Sequence, residues 1–255
     1  MVDQFIVFDW KGKMAHFRQF DANSSSLSYS FPPPTVVMGL VAGLLGMRRD
    51  EYYDLLGPDR LKISVQIKTP PRKIMQSVNY IFAKSVNDLN MSAKDKHTQI
   101  PVELLTAKDF PDGFLCYRVV LQTPDATLHG FITKALEQNR YKFLPYFGSA
   151  PFQSWLEWPG PIKSVSPISD ETVIVDTTAA VESIDLTTLS METIEGSLPA
   201  FYREHVRRFF TGDDRQPGEV MDVIWEKNRG KIKARFKTPV YRIQLENEAL
   251  TACLL

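Results

Sequence analysis

Residues 31–46 read FPPPTVVMGLVAGLLG, and this stretch constrains the chain more than any other. Pro32, Pro33 and Pro34 lack amide hydrogens and have a fixed φ, so neither a strand ladder nor a helix interior runs through them. A helix begins at Pro34 or Thr35, because proline suits the first helical turn. Val36, Val37, Leu40, Val41, Leu44 and Leu45 then recur at helical spacing. Gly39 and Gly43 stand four apart and leave one face nearly bare backbone, open to close packing on a sheet or to a ligand. Gly46 is the expected C-cap.

The flanking segments have strand character. Residues 4–10 (QFIVFDW) are apolar, β-branched and aromatic, and predict a first strand. Residues 14–20 alternate well enough to continue it or pair with it, and 21–30 are a polar loop. DEYYDLLG (50–57) predicts a second short helix. Residues 61–68 alternate strictly as a half-buried strand, and 74–83 are a further candidate. Residues 84–110 are long, polar and mixed, more than a turn needs, and loops of that length are usually functional or mobile. A strong strand follows at 114–122, then a helix over 126–139 with Asp125 as N-cap. PYFGSAP (145–151) is a glycine turn between aromatics. Beyond a Pro/Ser connector, 172–177 predict a strand, 201–210 a basic segment of unassigned type, and 231–245 a strand pair turning near Pro239. This order matches the split βαβ pattern of a ferredoxin-like domain. The expected class is α+β, with that domain at 1–160 and a mostly β region at 161–255.

Thirty basic and thirty acidic residues among 255 cancel. That argues against nucleic-acid binding by bulk charge alone, though not against a local basic face. The sum hides segments of opposite sign: 1–163 carry 19 bases and 15 acids, 164–200 no bases and 7 acids, and 201–255 carry 11 bases and 8 acids. Residues 60–100 hold eight bases against Asp88 and Asp95, a candidate polyanion contact. Segment 164–200 would repel RNA and face solvent or a basic protein. Cys116 and Cys253 are far apart, which argues against a disulfide framework or a cysteine zinc site and fits a reducing, cytoplasmic setting. The N-terminus has no signal-peptide pattern, and no apolar run is long enough for a membrane helix. No HExxH, Walker loop, GxSxG or clustered carboxylates occur, so no metal or cofactor is expected.

Three segments resemble one family. Residues 8–46, from FDWKGK through SYSFPPPTVVMGLVAGLLG, resemble the N-terminal signature of the CRISPR-associated Cas-five family of the RAMP superfamily, in its type I-B branch. KHTQIPVELL (96–105) looks like the family's segment after the tip of its protruding β-hairpin, the thumb. PYFGSAPF (145–152) resembles its glycine-rich loop. The resemblance covers about the first 155 residues. It implies an RRM-like ferredoxin fold with a thumb around 84–110. It also implies a subunit that caps one end of a type I surveillance complex and grips the 5′ handle of the CRISPR RNA. The implied partners are that RNA, the repeated backbone subunit, the large subunit and nearby target DNA.

Single-stranded RNA is held by cations on phosphate, flat groups for stacking and polar atoms on base edges. The excursion supplies Lys84, Lys94, Lys96, His97 and Gln99, with Arg72 just before it. Arg18, Asn23 and Tyr29 precede the glycine helix, and Arg48 and Arg49 follow it. Tyr146, Phe147, Gly148 and Ser149 offer amides and rings; a tight turn with buried rings is the alternative for that loop, and a space-filling role is the alternative for Tyr29. One branch of the family cuts precursor RNA without a metal, using Tyr, Lys and His. The corresponding enzymatic alternative here is Lys96 and His97 with Tyr52 or Tyr53. The KHTQIP context looks like the non-cleaving branches, so the expectation is a non-catalytic RNA-binding subunit. A ferredoxin-like protein-interaction module without RNA is the further alternative.

Overall fold

Strand Phe5–Gly12 is buried at almost every position, so both of its faces are covered. In the computed structural model the described residues are 2–22, 25–81, 86, 97–169, 172–192, 196, 198–228 and 230–255, and the side chains of Asp3 and His97 fall outside that description. In chain order the first half contains β1 (Phe5–Gly12), β2 (Met14–Ala15), β3 (Phe17–Arg18), β4 (Ser28–Tyr29), α1 (Pro34–Leu45), β5 (Lys62–Ile67), β6 (Arg72–Ile81), β7 (His97–Thr106), β8 (Leu115–Gln122), α2 (Ala126–Glu137) and β9 (Ser154–Glu157). The second half contains β10 (Ser164–Ile168), β11 (Val173–Val175), β12 (Ala179–Ala180), β13 (Ile184–Asp185), β14 (Phe201–Arg207), β15 (Phe210–Thr211), β16 (Gln216–Pro217), β17 (Val220–Glu226), β18 (Ile232–Phe236), β19 (Val240–Gln244) and β20 (Ala249–Cys253).

The first sheet has the order β5-β8-β1-β9, with every neighbouring pair antiparallel. The two strands that flank each helix are thus separated by a third strand. Alternation along β1 explains its double burial. Ile6, Phe8 and Trp10 join the cluster that α1 and α2 complete through Val37, Val41, Leu44, Leu128 and Ile132. Phe5 and Val7 point the other way and pack with Ile243, Leu250 and Ala252 of β19 and β20.

Helix α1 starts on Pro34 and ends at Gly46, whose φ of +75° closes the last turn in the left-handed region. Its glycine face does not lie on the sheet: a Cβ on Gly43 would meet nothing within 4 Å, and Tyr52 Oη is the nearest atom to one on Gly39, at 3.3 Å. The buried face is Val37, Met38, Leu40, Val41 and Leu44. Asp125 caps α2 by accepting from the amides of Thr127 and Leu128 at 2.9 and 3.1 Å.

Several expectations need correction. Residues 50–57 form successive turns rather than a helix; with Gly57 and Pro58 closing so short a run, too few helical bonds form to repay nucleation. The polar excursion contains a strand, because β7 pairs with β6 over ten residues, from Arg72↔Thr106 to Ile81↔His97. The 201–210 segment, which the sequence does not assign, contains strand β14 (Phe201–Arg207), paired with β17. The two strands around Pro239 do not pair with each other: β18 pairs with β11 and β13, and β19 with β10 and β20.

The second half shares the first half's core. Val206, Met221, Val223 and Trp225 on one face of the β14–β17 ladder belong to the same cluster as α1. Tyr29 Oη donates to His205 O at 2.7 Å, and the Glu204 carboxylate accepts from the Ser30 amide and hydroxyl. These bonds fasten the segment before α1 to β14.

Candidate nucleic-acid interface

The β6–β7 pair is the longest ladder among the described residues. Of the ten residues of β6, only Ile74 and Val78 are even half-buried. A two-stranded ribbon is marginal on its own, and this one is anchored at its root. There β7 also pairs with β2, and Val102, Leu104 and Leu105 are buried. Nine residue steps of ladder carry the chain about 30 Å outward from that root. Exposed Met75, Tyr80 and Ile81 lie along it.

Glu103 locks the root. Its carboxylate accepts from the Ser28 amide at 2.9 Å and pairs with Lys73 at 3.1 Å. Lys73 Nζ also donates to Ser28 O at 2.7 Å. His16 bridges Glu103 O and Ser26 Oγ at 2.8 and 2.9 Å through its two ring nitrogens, and burial lowers its pKa. Glu103 is therefore a pairing residue.

Arg72 and Gln99 are exposed on the hairpin, Arg72 at the root and Gln99 opposite Asn79. Arg18 is exposed on β3. Arg48 and Arg49 are exposed after α1, with Arg48 3.7 Å from Glu51 and Arg49 3.2 Å from Asp50. Asn23, Lys84, Lys94 and Lys96 lie outside the described residues, as does the side chain of His97.

Two stacking candidates are core residues instead. Tyr29 is 3% exposed, with its hydroxyl spent on His205 O. Phe147 is fully buried against Trp10, Phe17 and Tyr117. Gly148 has φ +77°, and a Cβ there would stand 2.2 Å from His16 O, so the glycine serves the turn that brings Phe147 inward. Ser149 O closes that turn by accepting from the Phe152 amide. Tyr146 is left half-exposed beside it.

Of the two tyrosines in the enzymatic alternative, Tyr53 is buried and donates to Asp50 Oδ1 at 2.5 Å. Burial raises the pKa of both Tyr52 and Tyr53. The same region holds a ladder that sequence reasoning missed. The Arg207 guanidinium lies 4.6 Å from the Phe20 ring centroid and 5.6 Å from that of Phe210, and Arg215 lies 4.6 Å from Phe210. Tyr53 continues it at 5.4 Å from Phe210, and Tyr52 at 4.6 Å from Tyr53. Alternating guanidinium and aromatic planes are the chemistry on which unpaired bases stack. The signal in sequence was VRRFF at 206–210, but its partner Phe20 is distant in the chain and only the docking of β14 brings them together.

The family model described as CRISPR-associated protein (Cas_Cas5) matches residues 5–107. A chain of a CRISPR RNA-guided surveillance complex is similar over 88% of this chain and 90% of its own, with a TM-score of 0.52 at 14% identity. A chain from the cryo-EM structure of a type III-B Cmr-beta complex, bound to cognate target RNA and AMPPnP, is similar over 90% and 86%, with a TM-score of 0.52 at 11% identity. At such identities the likeness is one of fold. No curated protein sequence matches. Over residues 5–107 this chain is similar to the CRISPR-associated Cas-five family model, and along most of its length it shares the fold of chains from CRISPR effector complexes.

Proposed function

We propose that this chain is a non-catalytic RNA-binding subunit of a CRISPR type I interference complex. It grips the 5′ handle of the CRISPR RNA and caps the filament of repeated backbone subunits, beside the large subunit and the target DNA. The observation that carries this reading is the free-standing β6–β7 hairpin, which exposes nearly all of one strand and is braced at its root by Glu103, Lys73 and His16. A ribbon with so little core of its own gains its burial from partners. The βαββαβ order and the sheet order β5-β8-β1-β9 support the ferredoxin-like, RAMP-type reading of the first 160 residues, with the hairpin as the thumb. The arginine–aromatic ladder supplies cations and stacking planes for single-stranded RNA. Sequence selection of the target is left to guide pairing, as in other RNA-guided systems.

The test is binding of the full chain, alone and in the co-expressed complex, to a labelled repeat RNA with its native 5′ handle, beside a scrambled handle. Salt is matched, because phosphate contacts make affinity salt-dependent, and EDTA is present. Preferential retention of intact native RNA is expected. Cleavage abolished by His97→Ala moves the endoribonuclease reading to first place. A handle left unprotected in the whole complex removes the RNA-binding reading and leaves a protein-interaction module.

A further inference from the structure

Between the root of the hairpin and the β14–β17 ladder lies a cleft of about 840 Å³, within the usual range for small-molecule sites of about 300–1,000 Å³. Its walls come from both halves of the chain. Arg72 and Lys108 flank the hairpin strands, and Tyr202, Trp225 and Lys227 belong to the ladder and its exit. Tyr202 stacks on Trp225, with centroids 4.9 Å apart and planes at 20°, yet remains 44% exposed. It is therefore a rigid plate with surface to spare.

The charges around the plate are available. Arg72, Lys108 and Lys227 are exposed and have no carboxylate partner among the described residues. Lys227 Nζ lies 5.6 Å from the centroid of the Tyr202 ring. Lys73 also lines the cleft but is held by Glu103 and Ser28. Glu204, the acid of the lining, is occupied by the amide and hydroxyl of Ser30, so its oxygens do not oppose an incoming anion as a free carboxylate would. The buried Nε1–H of Trp225 has no hydrogen-bond partner among the described residues. A ligand oxygen that reaches it gains a bond the folded chain does not already make.

A plate flanked by three unpaired cations fits a group that is flat at one end and anionic at the other. We infer that this cleft seats one nucleotide of a single RNA strand, its base on Tyr202 and its phosphate among Arg72, Lys108 and Lys227. The inference rests on the RNA-binding reading above and adds a site to it that none of the candidate residues except Arg72 anticipated. The strand arrives from the hairpin side, because Arg72 begins β6 and Lys108 follows β7.

The experiment measures affinity of the full chain, in the co-expressed complex, for the repeat RNA with its native handle. Tyr202→Ala is expected to weaken binding about five- to a hundredfold, the range for one stacked base, and Tyr202→Phe to stay within about twofold. Arg72→Gln is expected to lower the salt slope by about 0.7, the release expected for one phosphate contact on a single strand. An abasic residue is then walked along the handle. One position is expected to cost as much as Tyr202→Ala, and combining the two to cost no more than either alone. A merely structural Tyr202 predicts losses that multiply at every position, and that result overturns the inference. So does a Tyr202→Ala complex that binds within twofold of the wild type, even if free AMP proves to occupy the cleft; the handle reading then stands. Failure of the wild-type complex to bind the RNA removes both.

Discussion

Arg118 and Asp9 face each other across the β8–β1 ladder, with Nε 2.6 Å from Oδ1 and Nη2 2.9 Å from Oδ2. The same guanidinium reaches Glu248 Oε1 at 2.7 Å, in the turn between β19 and β20. Arg118 is 2% exposed. A charge on this face of the sheet is tolerable only because both carboxylates meet it, and the triad ties the C-terminal strands to the first sheet. Lys68 Nζ also stands 3.3 Å from Asp9 Oδ2, so removing Arg118 leaves Asp9 partly compensated and costs less than the about 3–5 kcal/mol of a fully broken buried pair. Arg118→Met is expected to lower the melting temperature by roughly 5 °C, measured by calorimetry. A loss under 1 °C would show that the triad does not hold the two layers together.

The same triad gives a pH signature. Arg118 holds the Glu248 carboxyl below its ordinary 4.5. A carboxyl whose folded pKa lies below its unfolded one contributes stability above the unfolded value, and loses it as pH falls through the folded value. Wild type is expected to exceed Glu248→Gln in melting temperature at neutral pH, with the margin closing below about pH 4.5. Glu248 is half-exposed, so solvent screening keeps the margin small. A margin that widens on acidification contradicts the assignment.

Gly148 and Tyr29 separate scaffold from interface. Gly148→Ala meets His16 O and requires a positive φ, at a cost of about 1–3 kcal/mol. Tyr29→Phe removes the bond to His205 O, at about 1 kcal/mol. Both are expected to lower stability in thermal melts, while RNA affinity per folded molecule stays within about twofold. A tenfold loss of affinity in a normally stable Tyr29→Phe would restore an RNA role for that residue.

The arginine–aromatic ladder predicts the reverse pattern. Phe20 is 43% exposed, so Phe20→Ala is expected to change stability by less than about 1 kcal/mol. If bases stack on the ladder, the same change weakens single-stranded RNA binding by about 1–3 kcal/mol, read by anisotropy at fixed salt. Unchanged affinity in both Phe20→Ala and Phe210→Ala removes the ladder from the interface.

Replacing the outer hairpin, residues 78–100, by a tight turn tests whether it is a binding arm. β6 contributes little to the core, so the shortened chain is expected to melt within a few degrees of the full one. Its RNA retention in the complex is expected to fall at least tenfold. A collapse of the fold would make the hairpin structural.

Local patterns carried much of the architecture. Three prolines and Gly46 bound α1, Asp125 capped α2, and alternation at 61–68 and the strand residues of 114–122 marked the two strands that neighbour each other in the sheet. These features depend on backbone stereochemistry and the two periods of side-chain direction, and both are written in neighbouring residues. What lay beyond a local reading involved distant partners. Tyr29 and Phe147 look like stacking rings in sequence, but Phe17, Trp10 and the carbonyl of His205 enclose them. Strand β7 is hidden in the polar excursion because its buried apolar residues, Val102, Leu104 and Leu105, are confined to the root while outer residues such as Gln99 are polar and exposed. Phe20 meets Arg207, and Arg72 and Tyr202 line one cleft, only because the β14–β17 ladder packs its apolar face against the segment before α1. Burial and cation–aromatic contact are properties of pairs, and a pair separated by most of the chain exists only once the core has closed.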